Sequence, residues 1–241
     1  MIKYGKIYYK RPDFALDINE LSIKNHEKVA ILGENGCGKS TFINYSCGLL
    51  DSEINVSYMD RPLKTLNTEE RANIFALFSQ NPDVAFPFTV FEVVRMGRFR
   101  MCGGNYSRKD DEKTIEKLTL FDIVRYKDKR LDELSGGEKR RVLLARAFNQ
   151  ETPYLFLDEP VSMLDIRHSL EIMNIIEDTM KTVIASMHDV NLAIRYFKRL
   201  IFMKDGRILY DVSNKEVTPQ IIEEVYNVKV SPYNNAYSFV I

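Results

Sequence analysis

The sequence predicts an α/β fold built on a mostly parallel β-sheet that is covered by helices. Three short, continuous apolar runs support this prediction: Val29–Leu32, Tyr154–Leu157 and Thr182–Ala185. Continuous rather than alternating apolarity is typical of strands that are buried on both faces, as in a parallel sheet with helices on each side. Helix-start signals occur between these runs, so strands and helices are expected to alternate along the chain.

Four segments carry helix-start signals. Three have the spacing of a capping box: Asn67 with Glu70, Thr89 with Glu92, and Ser135 with Glu138. In a capping box, the side chain of a polar residue accepts from the backbone N–H three positions later, and the acidic side chain at that position accepts from the backbone N–H of the first residue. The third box precedes a predicted helix that runs to about Asn149. Thr218 followed by Pro219 predicts another helix, with proline at its first position.

The stretch of residues 84–149 differs from the rest of the chain. It has helix-like patterning, loop residues at Cys102–Asn105 and no clear strand pattern. We therefore expect one domain over residues 1–241, with a core of about residues 1–83 and 150–241 and a helical subdomain inserted at about residues 84–149.

Composition excludes several classes of protein. The 241 residues are 45% hydrophobic, which suffices for a large buried core, and 34 Lys and Arg balance 34 Asp and Glu. This balance argues against a nucleic-acid partner bound through a general positive field. No apolar run is long enough for a membrane span or a secretion signal, so a cytoplasmic chain is expected. The three cysteines lack the spacing of a zinc site or of a disulfide framework.

A phosphate-binding motif directly follows the first apolar run. Residues Gly33–Ser40 read GENGCGKS and fit the pattern G-x-x-x-x-G-K-[ST]. Glycines let successive backbone N–H groups face one anion, and the following helix adds the positive end of its dipole. Lys39 is expected to reach the β- and γ-phosphates, and the Ser40 hydroxyl to bind Mg²⁺.

Two carboxylates follow the second apolar run. Asp158 and Glu159 come at the carboxyl end of the predicted strand, where open α/β sheets bind their ligands. Asp158 is expected to hold Mg²⁺ through a water molecule, and Glu159 to polarise the attacking water. A strand that merely ends in solvated acids is the alternative, which the phosphate motif disfavours.

With four further motifs in order along the chain, the sequence resembles the ATP-binding-cassette (ABC) ATPases. Leu134–Glu138 reads LSGGE and resembles the family signature, and Gln80 resembles the Q-loop glutamine. Ser162–Asp165 resembles the D-loop, and His188 resembles the switch histidine. The resemblance implies a P-loop NTPase (RecA-like) core with a mostly parallel sheet. It also implies an antiparallel β element at the N-terminus and an inserted helical subdomain.

The same resemblance assigns roles to individual residues. It implies ATP and Mg²⁺ as ligands and gives catalytic roles to Glu159, His188, Lys39 and Gln80. Mg²⁺ is assigned to Ser40, Gln80 and Asp158. The ATP-binding residues of the same subunit are Gly33, Glu34, Asn35, Gly36, Cys37, Gly38, Lys39, Ser40, Thr41 and Tyr9.

The signature motif also makes chemical sense by itself. Ser135 caps a predicted helix, and Gly136 and Gly137 let a phosphate approach its exposed N–H groups. In the resembled family, ATP lies between the phosphate loop of one copy and the signature of the other. One copy of each motif therefore implies a head-to-tail homodimer in which the second copy contributes Ser135, Gly136, Gly137 and Asp165.

Two assignments rest on less specific residues. The aromatic residue that stacks on adenine in the family is expected to be Tyr9, with Tyr8 as the alternative, because both precede the short turn Lys10–Asp13. The remaining histidines, His26 and His168, are not expected to bind phosphate.

Three segments resemble the branch of the family that imports iron–siderophores, haem and vitamin B12: Phe88–Arg98, Asp165–Glu171 and Thr218–Tyr226. Val161 and Ser169 depart from that pattern. The resemblance implies an ATPase subunit of a metal-chelate importer, peripheral on the cytoplasmic face of the membrane. It implies docking on integral membrane permease subunits near residues 84–101, and an indirect link to a substrate-binding protein.

Other functions stay open at this point. The chain could serve an importer of another solute or metal ion, or be a non-transport ABC ATPase such as an Fe–S assembly factor. The Phe88–Arg98 segment is the main argument against the latter. A small-molecule kinase would share the phosphate loop but has no use for the LSGGE motif.

Overall fold

The computed structural model describes residues 1–50, 53–79, 87–233 and 236–240. The strands are β1 (Ile2–Tyr4), β2 (Ile7–Arg11), β3 (Phe14–Ile18), β4 (Leu21–Ile23), β5 (Lys28–Leu32), β6 (Val56–Tyr58), β7 (Arg61–Pro62), β8 (Phe75–Phe78), β9 (Tyr154–Asp158), β10 (Thr182–Ser186), β11 (Arg199–Lys204), β12 (Arg207–Ser213), β13 (Lys229–Tyr233) and β14 (Ala236–Val240). The α-helices are α1 (Lys39–Ser46), α2 (Thr68–Ile74), α3 (Val90–Arg95), α4 (Phe99–Cys102), α5 (Arg108–Leu120), α6 (Gly136–Asn149), α7 (Ile166–Asp178), α8 (Val190–Tyr196) and α9 (Pro219–Tyr226).

The chain divides into two compact units. The first consists of Met1–Leu66 and Met180–Ile241, and the second of Asn67–Thr179. The predicted boundaries at residues 84 and 149 stay a prediction.

The first unit contains two of the three predicted parallel strands, β5 and β10. β5 pairs in parallel with β10 on one side and with β11 on the other, and β12 extends this sheet antiparallel to β11. Val29–Leu32 of β5 are fully buried, as their continuous apolarity predicts. The carboxyl end of β5 leads directly into the phosphate motif and α1.

The N-terminal strands are antiparallel, which confirms the expected antiparallel β element. β1 lies between β4 and β6, and β2 pairs with β3 as a hairpin. Further along the first unit, α9 is followed by the β13–β14 hairpin. This hairpin is held through Asn191, whose side-chain amide donates to the Tyr237 carbonyl at 3.0 Å and accepts from the Tyr237 N–H at 2.8 Å.

The second unit combines a strand pair with a helical layer. β8 and β9 are parallel, and all five residues of β9 are buried. Residues 87–149 form helices, turns and one isolated bridge between Thr89 and Arg130. The buried Asn149 side chain donates to the Val94 carbonyl at 2.9 Å and to the Thr114 hydroxyl at 3.2 Å, which ties α6 to α3 and α5.

All four predicted helix starts are confirmed. Asn67, Thr89 and Ser135 form complete capping boxes, and Thr218 caps α9 with Pro219 at the first helical position. The helix predicted after Ser135 ends at Asn149, as expected. Within the described ranges, no helix is long and apolar enough to cross a membrane.

Candidate active site

The loop between β5 and α1 is shaped by its glycines. Gly33, Gly36 and Gly38 all have positive φ, at 148°, 81° and 112°. A Cβ on Gly33 would lie 2.2 Å from the Met203 carbonyl oxygen, and one on Gly38 would lie 2.7 Å from the Phe14 ring. At Gly33 and Gly38, glycine is therefore required both by the backbone conformation and by the lack of space for a side chain.

Lys39 turns back into this loop. It is only 5% exposed, and its Nζ donates to the carbonyls of Gly33 at 2.8 Å and Glu34 at 3.0 Å. The ammonium group therefore lies inside the curve of the loop at the N-terminus of α1. Backbone N–H groups at a helix start, with a lysine beside them, form a binding site for phosphate.

The loop also offers an oxygen ligand for a cation. Ser40 is half-buried on the first turn of α1, and Thr41 follows it. Hydroxyl, carboxylate and phosphate oxygens are the ligands that Mg²⁺ takes, so this donor set fits a magnesium–nucleotide complex.

Three contacts from distant segments brace the loop. The Gly33 N–H donates to the Tyr226 hydroxyl at 2.9 Å, and the Asn227 amide donates to the Glu34 carboxylate at 3.4 Å. The Gly206 N–H donates to the Cys37 carbonyl at 2.9 Å. Burial raises the pKa of both Tyr226 and the Cys37 thiol. The start of the loop is therefore fixed by the end of α9, and its middle by the β11–β12 turn.

His188 lies at the same sheet edge as the loop. Ser186 of β10 is in register with Ile31 of β5, and the Met187 N–H donates to the Ile31 carbonyl at 2.9 Å. The exposed His188 follows at once, and Asp189 caps α8 by accepting from the Leu192 N–H at 2.8 Å. The strand ends therefore place His188 beside the start of the phosphate loop.

The β2–β3 hairpin separates the two candidate adenine-stacking tyrosines. Tyr9 is in register with Leu16, whose side chain would lie 3.4 Å from a Cβ on Gly38, whereas Tyr8 is in register with Asp17 and is 61% exposed. Since paired residues share a face of the hairpin, Tyr9 shares the face of Leu16, the residue adjacent to the phosphate loop. Its hydroxyl accepts from Arg11 Nε at 2.7 Å.

The two predicted carboxylates follow β9 in the second unit. Asp158 is 7% exposed, and Glu159 is half-buried with a positive φ of 54°. A left-handed conformation is uncommon for a glutamate and marks a backbone that its surroundings hold in place.

The signature motif begins α6. Ser135 is exposed, its N–H donates to Glu138 at 2.8 Å, and its hydroxyl donates to the same carboxylate at 2.7 Å. A hydrogen bond from Tyr126, together with those from Ser135, lowers the pKa of Glu138 to about 2. A Cβ on Gly136 would meet nothing within 4 Å, so an anion has open access to this helix start.

The segment predicted as the D-loop packs against that helix start. A Cβ on Gly137 would lie 3.3 Å from the Leu164 side chain. Asp165 caps α7: one carboxylate oxygen accepts from the His168 N–H at 2.9 Å. The other carboxylate oxygen of Asp165 lies 2.7 Å from His168 Nδ1. His168 therefore orients the D-loop aspartate.

The other histidine that is not expected to bind phosphate is His26. His26 Nδ1 contacts the Met180 carbonyl oxygen.

Two predicted features lie partly or wholly outside the described residues. Gln80 falls outside them, as do residues 84–86 at the start of the expected docking segment. In the part of the docking segment that the structure describes, Phe99 is 59% exposed and Met101 is 39% exposed.

Three residues of these sites are missed by the sequence analysis: Phe14 beside Gly38, Tyr226, whose hydroxyl accepts from the Gly33 N–H, and Arg140, whose guanidinium donates to the Glu159 carbonyl. None belongs to a local motif that marks its role. Tyr226 does end one of the segments that resemble the importers, but nothing there signals its contact with the loop.

A glycine-shaped loop with an inward-facing lysine, between a buried parallel strand and a helix, defines a P-loop nucleotide-binding protein. Residues 16–162 match the ABC transporter family, and the chain belongs to it. It is an ABC ATPase with the P-loop NTPase fold, a mostly parallel sheet, antiparallel N-terminal strands and a helical insert. The fold predicted from the sequence is confirmed.

Several known proteins are similar over most of the chain. The iron(3+)-hydroxamate import ATP-binding protein FhuC of Bacillus subtilis is 31% identical over 88% of this chain and 81% of its own length. The phosphonates import ATP-binding protein PhnC of Lactococcus lactis is 36% identical over 94% of this chain and 98% of its own. A dimeric, post-hydrolysis ATP-binding cassette bound to ADP and Pi has a TM-score of 0.79 and 26% identity, covering 90% of this chain and all of that one.

Replacing Tyr226 with Phe should weaken the phosphate loop. The substitution removes the acceptor of the buried Gly33 N–H and should lower the free energy of unfolding by about 1–3 kcal/mol. It should also raise the KM for ATP, because the loop is held less firmly. Tyr210→Phe is the matched control, since the Tyr210 hydroxyl bonds Glu224 at the surface. Equal losses in the two variants, measured by thermal unfolding and ATPase kinetics, would contradict the bracing role.

Proposed function

We propose that this chain is the ATP-hydrolysing subunit of an importer that drives uptake of a metal chelate through a membrane permease. The observation that supports the ATPase assignment best is the phosphate loop, in which the buried Lys39 ammonium points at glycine-shaped backbone. Nucleotide binding follows from membership of the family.

The catalytic roles follow from the chemistry of each group. Lys39 and the loop amides bind the phosphates, and Tyr9 stacks on adenine. Glu159 and His188 orient a water molecule for in-line attack, and Gln80 responds to the presence of the metal ion and of that water. Phosphoryl transfer needs little covalent chemistry from the protein, so catalysis is mainly positioning and electrostatic stabilisation.

A magnesium ion, when bound, supplies positive charge to the phosphate oxygens. The Ser40 hydroxyl, the Asp158 carboxylate and Gln80 are the groups proposed to hold it, Asp158 through water. A serine and an aspartate at these two motifs fit the oxygen preference of Mg²⁺.

A second copy of the chain completes the site in this proposal. Ser135, Gly136, Gly137 and Asp165 of one subunit face the ATP that is bound to the loop of the other. The solvent exposure of Ser135 and the open space at Gly136 leave this helix start accessible to a partner. Hydrolysis removes the γ-phosphate between the two copies and lets them separate, so the output is motion.

The transport role requires a membrane partner. We propose that the chain is peripheral on the cytoplasmic face and docks on permease subunits near residues 84–101. The partly exposed side chains of Phe99 and Met101 supply an apolar contact there. A separate substrate-binding protein delivers the cargo to the permease.

A metal chelate is the proposed cargo because the FhuC relative is an iron(3+)-hydroxamate importer subunit and the Phe88–Arg98 segment resembles that branch. The higher identity to PhnC, at 36%, makes a phosphonate importer the second candidate. Cargo uptake by cells that lack only this chain, measured with iron chelates and with phosphonates in parallel, decides between them.

Replacing Glu159 with Gln should separate ATP binding from hydrolysis. Turnover should fall by about 10²-fold or more, because the amide cannot polarise water, while ATP still binds. The variant should therefore accumulate as an ATP-bound dimer on size-exclusion chromatography. A variant with near-normal turnover would overturn the role of Glu159.

Replacing Phe99 with Asp should weaken permease docking. A charge at an apolar contact should weaken the free energy of binding by about 2 kcal/mol. In a pull-down from detergent extracts, the tagged variant should therefore recover much less of a hydrophobic, multi-span membrane protein. Leu120→Asp is the control, because Leu120 is 47% exposed on α5, outside the docking segment. Equal recovery by both variants would contradict docking at Phe99, and recovery of soluble partners alone would contradict the importer role.

A further inference from the structure

Arg140 lies on α6, five residues after the signature serine, and it does not point to solvent. It is 6% exposed. Its Nε donates to the Pro160 carbonyl at 3.1 Å, and its Nη2 donates to the carbonyls of Glu159 and, at 3.5 Å, Asp158. One guanidinium group therefore binds three consecutive carbonyls at the carboxyl end of β9.

The backbone that Arg140 holds has an unusual conformation. Glu159 has a φ of 54°, and its carbonyl also accepts from the Ser162 N–H at 3.2 Å. A non-glycine residue stays in this region only where its surroundings fix it. Because the side chain leaves from the same Cα, the backbone conformation at Glu159 sets the direction of the Cα–Cβ bond and so limits where its carboxylate can lie.

The guanidinium is enclosed by further contacts. Its central carbon lies 5.1 Å from the centroid of the Phe78 ring, and Phe78 is itself 4% exposed at the end of β8. Burial lowers the pKa of Arg140, and the charges of Glu159 and Asp158 act in the opposite direction. An arginine remains protonated in either case, so these carbonyls have a permanent cationic donor with a planar, fixed geometry.

We propose that Arg140 is a positioning residue for ATP hydrolysis, which holds the turn at Glu159 and so aims the carboxylate at the attacking water. This inference rests on the proposed catalytic role of Glu159. It also links the signature helix to the hydrolytic residue of the same subunit, since α6 carries both Ser135 and Arg140. A displacement of α6 when a partner subunit engages Ser135 is then transmitted to the turn at Glu159.

The test is the steady-state ATPase activity of Arg140→Gln. The kcat should fall by about 10²-fold through misplacement of Glu159, while the KM for ATP stays unchanged. Arg141→Gln is the matched control. Arg141 is the next residue of the same helix, it is 4% exposed, and its guanidinium also binds backbone carbonyls, those of Phe121 and Asp122. It should lose stability and keep its kcat.

Rescue by a small cation distinguishes positioning from general loosening. Arg140→Ala leaves a space lined by carbonyls, and millimolar guanidinium should raise its kcat in a saturable manner, whereas equal concentrations of urea or NaCl should not. If Arg140→Gln does not fold, Arg140→Lys replaces it. A smaller fall in kcat is then expected, because the ammonium group keeps the positive charge but lacks the planar fork.

The outcomes separate this inference from the proposed function. If Glu159→Gln loses turnover while Arg140→Gln keeps it, only the positioning role is overturned. Equal falls in kcat for Arg140→Gln and Arg141→Gln, or no rescue by guanidinium, also overturn it. If Glu159→Gln retains turnover, the catalytic assignment fails and the positioning role falls with it.

Discussion

A helix start whose backbone N–H groups stay open to an anion is the constraint that shapes the phosphate loop and the segments around it. A triphosphate carries several negative charges, and the N-terminus of a helix offers unpaired donors and a positive dipole end. Side chains would obstruct that approach, and glycines occupy both helix starts, at α1 and at α6. In the phosphate loop, the Met203 carbonyl and the Phe14 ring leave no room for a Cβ at Gly33 or Gly38.

The loop depends in turn on groups that are not among the proposed ATP ligands. Gly206, at the β11–β12 turn, donates to the Cys37 carbonyl, and its own carbonyl accepts from the Asp17 N–H at 2.9 Å. A Cβ at Gly206 would collide with the Ala15 carbonyl. One glycine therefore joins the phosphate loop to β3, and Tyr226 joins the same loop to α9. Such bracing keeps the anion site formed before the ligand arrives, which lowers the entropic cost of binding.

Prediction from sequence succeeded where local chemistry restricts the residue types. Buried strands must be apolar, capping boxes need a fixed spacing, and a phosphate loop needs glycines and a lysine, so these elements were found within a residue or two. The contacts of Tyr226 and Arg140 were missed for a physical reason. Tyr226 reaches Gly33 across 193 residues of sequence, and Arg140 reaches Pro160 across 20. Neither side chain has a local pattern, because its role is set by the fold that brings the segments together.

In the proposed dimer, each ATP is bound by the phosphate loop of one copy and the signature of another. Mixing two inactive variants, Lys39→Ala and Gly137→Asp, tests it most directly through the ATPase activity of the mixture with its permease. In a mixed dimer both lesions fall in one composite site and the other site is intact, so we expect ATPase activity to return. If the motifs instead acted within a single copy, every site would carry a lesion and the mixture would stay inactive, which would rule out the shared site.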